Sequence, residues 1–326
     1  MRWLFALSLF ALAIDAGAQT ITPQLDDWKV PWPNSRPRDP DVDRNGIVWF
    51  VGQTGDYVAA FDPKNAQFRR IDLERGTGPH NLILGEDGAI WYSGNRVGNI
   101  GRLDPEQGIV VEKIALPAGI RDPHTLIGDG KGHIWFTAQA SNTIGRLTLA
   151  GHKVDAVTVP TPNSLPYGIA VDARGRPWAN LLGTNELASV DPKTLKLERI
   201  ATPRKEARTR RVAVASDGAI WYTDYAAGHL GRFDPKTRKF SEWALPSGAA
   251  ARPYAMAIDD RQRVWVADSG AQPNHLLAFD MASAKFVSDV EIKNANGAVR
   301  HMVFHAPGRA LWFGTDTDYL VRVKVP

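Results

Sequence analysis

Seven tryptophans, Trp49, Trp91, Trp135, Trp178, Trp221, Trp265 and Trp312, recur at intervals of 42, 44, 43, 43, 44 and 47 residues. A period in the low forties is the interval of a four-stranded propeller blade. The text around each tryptophan repeats as well. Leu82-Ile83-Leu84 passes through Glu86-Asp87-Gly88 into Ala89-Ile90-Trp91-Tyr92, and Val212-Ala213-Val214 passes through Ser216-Asp217-Gly218 into Ala219-Ile220-Trp221-Tyr222. An Asp-Gly pair between two short apolar runs predicts a tight hairpin with positive φ at both central residues. A third run, Ile100-Gly101-Arg102-Leu103, returns as Ile144-Gly145-Arg146-Leu147 and Leu230-Gly231-Arg232-Phe233. Asp-Pro follows such runs at Asp62-Pro63, Asp104-Pro105, Asp191-Pro192 and Asp234-Pro235, where proline presets φ for a type I turn. A fourth run, such as Phe240 to Leu245, ends in proline.

Four strands per unit and no helical period predict an all-β chain, a seven-bladed β-propeller of four-stranded antiparallel blades. One sheet cannot cover both of its own faces, and a closed ring covers them without exposed ends. The recurring tryptophan is expected between adjacent blades, in a structural role. The last repeat stops after its third run, Leu320 to Val323. Asp27-Trp28-Lys29-Val30-Pro31 reads like Glu242-Trp243-Ala244-Leu245-Pro246, so the N-terminal strand is predicted to complete the last blade. A chain of 326 residues then forms one domain, residues 19–326, where length alone would suggest two.

The first eighteen residues are of another kind. Arg2 precedes an almost wholly apolar stretch from Trp3 to Ile14, and Ala16-Gly17-Ala18 has the small-x-small form of a cleavage site. This predicts a signal peptide, residues 1–18, cleaved near Ala18, and a periplasmic or secreted product. No later stretch is long and apolar enough to span a bilayer. With no cysteine, disulfides and thiol chemistry are excluded and packing must hold the fold. The net charge of +4 favours an anionic ligand or surface over nucleic acid.

In a propeller the first strand of each blade lines the central channel. The repeats place Asp41, His80, His124, Tyr167, Arg211, Tyr254 and His301 at its mouth. The residue before is proline in five of the seven, Pro40, Pro79, Pro123, Pro166 and Pro253. Two steps earlier stand Asp39, Gly78, Asp122, Leu165, Thr209, Arg252 and Val299. Arg211, at the end of the basic run Arg204, Lys205, Arg208, Arg210, Arg211, could join Arg252 and Arg300 in a cationic arc for a carboxylate or phosphate.

The x-Pro-His/Tyr entry, the Asp-Gly turn, Ile-Trp-Phe/Tyr and Ile-Gly-Arg-Leu resemble the streptogramin lyase (virginiamycin B lyase) family of seven-bladed propellers, from Trp28 to the C-terminus. The resemblance implies opening of a cyclic depsipeptide ester by elimination. A histidine base removes a Cα proton, Mg²⁺ helps hold developing negative charge, and a carboxylate leaves. It implies His124 as base and Asp122 as a metal ligand, in Asp122-Pro123-His124, with His80 of Gly78-Pro79-His80 as a substrate contact. Tyr167, Arg211 and Tyr254 are the further substrate contacts and Asp41 a second metal candidate. Matching the last blade directly instead puts His301 in the base position, with Val299 where the acid should be. Beside Trp135 the family's second acid is replaced by neutral Gln139, although Asp224, Asp268 and Asp316 occupy that place in other blades.

Two other readings stand beside the lyase. One is a non-catalytic binding propeller of the cell envelope, holding an anionic ligand or a partner protein at the same mouth. The other is a lactone hydrolase of the gluconolactonase type, which a count of seven argues against. In each case the expectation is a monomer with a small molecule or peptide in the channel. No nucleophile elbow or phosphate-cradling glycine loop occurs.

Overall fold

A computed structural model describes residues 19–326; the expected signal peptide lies outside the described residues. Seven four-stranded antiparallel sheets form a ring, the seven-bladed propeller that the tryptophan period predicts. Blade 1 is β2 (Pro37–Val42), β3 (Val48–Gly52), β4 (Tyr57–Asp62) and β5 (Gln67–Asp72). Blade 2 runs from β6 (Pro79–Leu84) to β9 (Ile109–Ala115), blade 3 from β10 (Pro123–Gly128) to β13 (Val154–Thr158), and blade 4 from β14 (Pro166–Val171) to β17 (Leu197–Ala201). Blade 5 runs from β18 (Thr209–Val214) to β21 (Lys239–Ala244) and blade 6 from β22 (Pro253–Ile258) to β25 (Lys285–Glu291). Blade 7 combines β26 (Val303–His305), β27 (Ala310–Gly314) and β28 (Tyr319–Lys324) with β1 (Gln24–Lys29) from the opposite end of the chain. Among the described residues no helix is long and apolar enough to cross a membrane.

The closure follows the predicted homology of strands. Trp28 pairs with Leu320 and stacks on Trp312 at 5.7 Å, as Trp243 stacks on Trp221 at 5.3 Å within blade 5. Arg322 clamps the seam by holding Asp26 at 2.7 Å while its guanidinium lies over Trp28. The apolar core is a series of layers between blades. Trp49, Val51 and Val58 of blade 1 meet Leu82, Ile90 and Tyr92 of blade 2, and Trp91 meets Ile134 and Phe136 of blade 3. The tryptophans are therefore interblade packing, as expected.

The Asp-Gly turns differ from the expectation. Only the glycine is left-handed, Gly88 at φ 76° and Gly218 at φ 86°, while neither Asp87 nor Asp217 adopts positive φ. The aspartate works through its side chain: Asp87 accepts the amide of Ala89 and the indole N–H of Trp91, both near 3.1–3.2 Å. This is a type I turn closed by a left-handed glycine, a longer hairpin loop than the two-residue form. The same indole-to-turn bond recurs from Trp49 to Asp43 and from Trp265 to Asp259, which explains why turn and tryptophan repeat together.

Candidate functional site

Each inner strand enters the ring through a kink. The residue before the entry strand is left-handed in blades 1 to 5, at Arg36, Gly78, Asp122, Leu165 and Arg208. A β-bulge then places one extra residue on the inner strand of blades 1 to 6. A bulge re-aims side chains and leaves one amide outside the ladder. Hydroxyls on the second strand take up that amide. Ser93 accepts from Asn81, Thr137 from Thr125, and Thr223 from Arg211. The same hydroxyls donate onward to the next blade, to the carbonyls of His124, Tyr167 and Tyr254. One polar atom thus satisfies the bulge and joins two blades.

Strand pairing also sets which residues are equivalent. Opposite the seven tryptophans lie Asp41, Ile83, Ile127, Ala170, Ala213, Ala257 and Val303. Three residues back from each stand Arg38, His80, His124, Tyr167, Arg210, Tyr254 and Arg300. The expected alignment is right in blades 2, 3, 4 and 6 and slips in the others. Arg38 takes the place assigned to Asp41, Arg210 that of Arg211, and Arg300 that of His301. Asp41 instead lies between blades 1 and 2, where its carboxylate accepts the amides of Val42 and Leu84. Arg211 and His301 sit one residue further along the strand. Blade 7 consequently offers Arg300 where the family resemblance called for a base.

The entry residues meet across the channel. The rings of His80 and His124 are 3.6 Å apart, and His124 lies 4.2 Å from Tyr167. The hydroxyl of Tyr167 bonds that of Tyr254, from blade 4 to blade 6. Arg210 lies against Tyr225 at 3.8 Å and Tyr254 at 4.5 Å. Below this layer Arg211 reaches from blade 5 to three others. It donates through Nε to the carbonyl of Arg300 at 2.7 Å and through Nη1 to Thr125 Oγ1, and lies 3.5 Å from Asp39. Asp39 also accepts Arg38 Nε at 2.9 Å and the side-chain amide of Asn81 at 3.2 Å. Arg38 and Arg210 went unrecognised from sequence, although Arg36-Pro37-Arg38 shares the x-Pro-x entry pattern.

The electrostatics follow from this crowding. Burial holds His80 well below the ordinary imidazole range, reinforced by Arg38, His124 and Arg211, and burial with Arg211 and Arg38 does the same to His124. His301 falls to about 4 for the same reason, desolvation first and Arg211 second. All three imidazoles are neutral at pH 7. His80 Nδ1 lies 3.0 Å from the carbonyl of His124, which can only accept, so Nδ1 carries the proton and Nε2 the lone pair. Burial would raise Tyr254, but Arg211, Arg210, Arg38 and Arg300 overcome it and lower the phenol below its usual range. Burial likewise works to raise Asp39, yet Arg38 and Arg211 hold it well below the carboxylate range.

The carboxylates expected to hold Mg²⁺ are engaged elsewhere. Asp122 caps the loop after β11 (His133–Ala138), accepting Ala140 N at 2.6 Å and Ser141 Oγ at 3.0 Å. Asp268 accepts Ser247 Oγ and the amides of Arg252 and Gly270. Asp316 is forked by Arg300 at 2.7 and 3.0 Å, and Asp224 accepts the amide of Ala227 beside Arg204. Among the described residues no group of three or more carboxylate or imidazole side chains could hold a metal ion. Oxygen donors in a ring of guanidiniums do not fit Mg²⁺. The cationic arc is also differently composed. Of its three expected members only Arg211 stays on the channel without a fork, for Arg252 caps the carbonyls of Ala249 and Ala251 and Arg300 is held by Asp316.

The profile of the Virginiamycin B lyase family matches residues 15–276. A streptogramin B lyase structure superposes with a TM-score of 0.84 at 22% identity, covering 93% of this chain and 98% of that one. The virginiamycin B lyase of Staphylococcus aureus gives a TM-score of 0.84 at 19% identity, with 94% and 100% covered. A catalytically inactive histidine-to-alanine form of that enzyme, with quinupristin, superposes equally well. At these identities the structures attest the fold. Among curated proteins, none matches the sequence.

Proposed function

The chain belongs to the virginiamycin B lyase family, and from that premise we propose that it is a carbon–oxygen lyase that opens an ester by elimination at the channel mouth, without a divalent metal. The observation that carries this reading is the fixed tautomer of His80: a neutral imidazole with Nδ1–H held by a carbonyl presents Nε2 as a base. His80 takes the Cα proton, the Cα–Cβ double bond forms, the Cβ–O bond breaks and the ester's carboxylate departs. His124, covered by the rings of His80 and Tyr167 and bonded to Thr125, positions His80 through its carbonyl. This exchanges the roles that the resemblance suggested for the two histidines. Arg210, which has no carboxylate partner, faces the negative charge that develops as the leaving group separates.

A second reading is favoured by one observation. His80 and His124 are only 6% and 3% exposed, as suits a channel that binds an anion without reacting. The test is incubation with quinupristin and with a depsipeptide bearing a free carboxylate, followed by mass spectrometry. A linear product isomeric with its substrate, abolished in His80→Ala, supports the lyase. A product heavier by one water, or no product from either compound, overturns it.

A further inference from the structure

Buried charges in proteins are paired, because an unpaired one costs several kcal/mol in desolvation. The channel departs from that rule in one direction. Arg38 and Arg211 are 4% and 3% exposed and share a single carboxylate, Asp39. The Nη2 of Arg38 is buried without a hydrogen-bond partner, and that of Arg211 faces Asp39 Oδ2 at 3.5 Å without forming a hydrogen bond. Beside Arg211 the guanidinium of Arg210 lies on Tyr225 and Tyr254 with its Nε equally unpartnered. The neighbouring imidazoles are held neutral by burial and by these same guanidiniums, so they add no further positive charge. The carboxylates at the other blade entries are engaged as well, Asp316 by the fork of Arg300, Asp268 by Ser247 and two backbone amides, and Asp224 by the amide of Ala227 beside Arg204. Arg38 and Arg211 therefore converge on one carboxylate while Arg210, on the tyrosine faces beside them, has none, and the Nη2 of Arg38 and the Nε of Arg210 are left over and point to a missing acceptor.

We propose that Arg38, Arg210 and Arg211 form an oxyanion seat within the channel and that the ligand it takes is an organic carboxylate. The seat deepens the lyase reading, and rests on it for the choice of carboxylate over phosphate, since elimination from an ester releases a carboxylate. Planar guanidinium forks suit that group, and the tyrosine faces suit an apolar or aromatic body attached to it. The family's neutral depsipeptide is then a poorer fit than an ester that carries its own negative charge.

The seat is tested by calorimetric titration at low ionic strength with benzoate, with its uncharged analogue benzamide, and with inorganic phosphate. Benzoate should bind and benzamide should not, and Arg210→Gln and Arg211→Gln should each weaken benzoate about tenfold or more, the worth of one charge-assisted hydrogen bond. Arg211 is deeply buried and its substitution could prevent folding. Arg210 is half-buried and free of ion pairs, so Arg210→Gln decides alone. Equal binding of benzamide, benzoate affinity unchanged in Arg210→Gln, or binding of phosphate without benzoate overturns the proposal. No turnover is needed, so absence of elimination and absence of the seat are separate results.

Discussion

The two halves of the channel mouth share a backbone and differ in chemistry. Blades 2 to 4 contribute His80, His124 and Tyr167; blades 5 to 7 contribute Arg210, Tyr254 and Arg300, at the same register positions. The supports are also the same: Ser93 and Thr137 cap the bulge in one half as Thr223 does in the other. Yet one half is neutral and basic in the proton-accepting sense, and the other is cationic. The contrast teaches that the ring supplies equivalent places, while each place takes its chemistry from the side chain and from the charges across the channel. The imidazoles are neutral first because they are buried, and then because Arg211 of the opposite half and Arg38 of blade 1, between the two halves, oppose their protonation, so neither half can be understood alone.

The comparison is sharpened most by removing the base. His80→Ala should lower the elimination rate by about 10²–10⁴, the usual worth of general base catalysis, measured by product formation at saturating substrate. His124→Ala should cost less, and an equal or larger loss there would return the base to His124. A stability measurement separates the halves next. The unfolded histidines protonate near pH 6.5, whereas His80 and His124 resist well below it and His301 until about 4. Below pH 6.5 the unfolded state binds more protons, so folding stability should fall on acidification by about 1.4 kcal/mol per pH unit for each histidine. Urea midpoints across pH 4–7 measure this, and His301→Gln should make the slope shallower by one histidine's share.

A smaller effect tests the sameness of the two scaffolds. Ser93→Ala and Thr223→Val each strip a bulge amide and a neighbouring carbonyl of their partner, and each should cost about 1–3 kcal/mol in chemical denaturation. Markedly unequal costs would show that the halves are not supported alike. The smallest expected effect is that of chelation. EDTA should change the elimination rate by less than about twofold, because the arginine half, not a divalent cation, meets the developing charge. Loss of activity restored by Mg²⁺ would require Asp122 or Asp316 to leave the contacts they make here.

Where reading the sequence slipped, the cause is identifiable. In Arg36-Pro37-Arg38-Asp39-Pro40-Asp41 two prolines lie three residues apart, and choosing Pro40 shifted blade 1 by three. Blades 5 and 7 have Thr209 and Val299 where the others have proline, so nothing in the text anchors the entry, and each shifted by one. The bulge makes the error easy, because its extra residue breaks the period-two alternation on which strand alignment rests. The pairing Asp122-Pro123-His124 is a further case: Asp122 is left-handed, and that conformation sends its carboxylate into the loop of Ala140 and Ser141.

By itself the sequence determined the number of blades, the borrowed strand that closes the ring, the interblade tryptophans and the presence of imidazoles and phenols at the entries. Those features are periodic or local, and a repeat of strand, turn and strand carries its own evidence. Only the tertiary structure decided that Tyr167 meets Tyr254, that Arg211 spans to Asp39 and Thr125, and that Asp122 caps the loop of Ala140 and Ser141. Ring closure brings together residues far apart in the chain at distances of a few ångströms, where charge balance and desolvation act between partners that no sequence spacing relates.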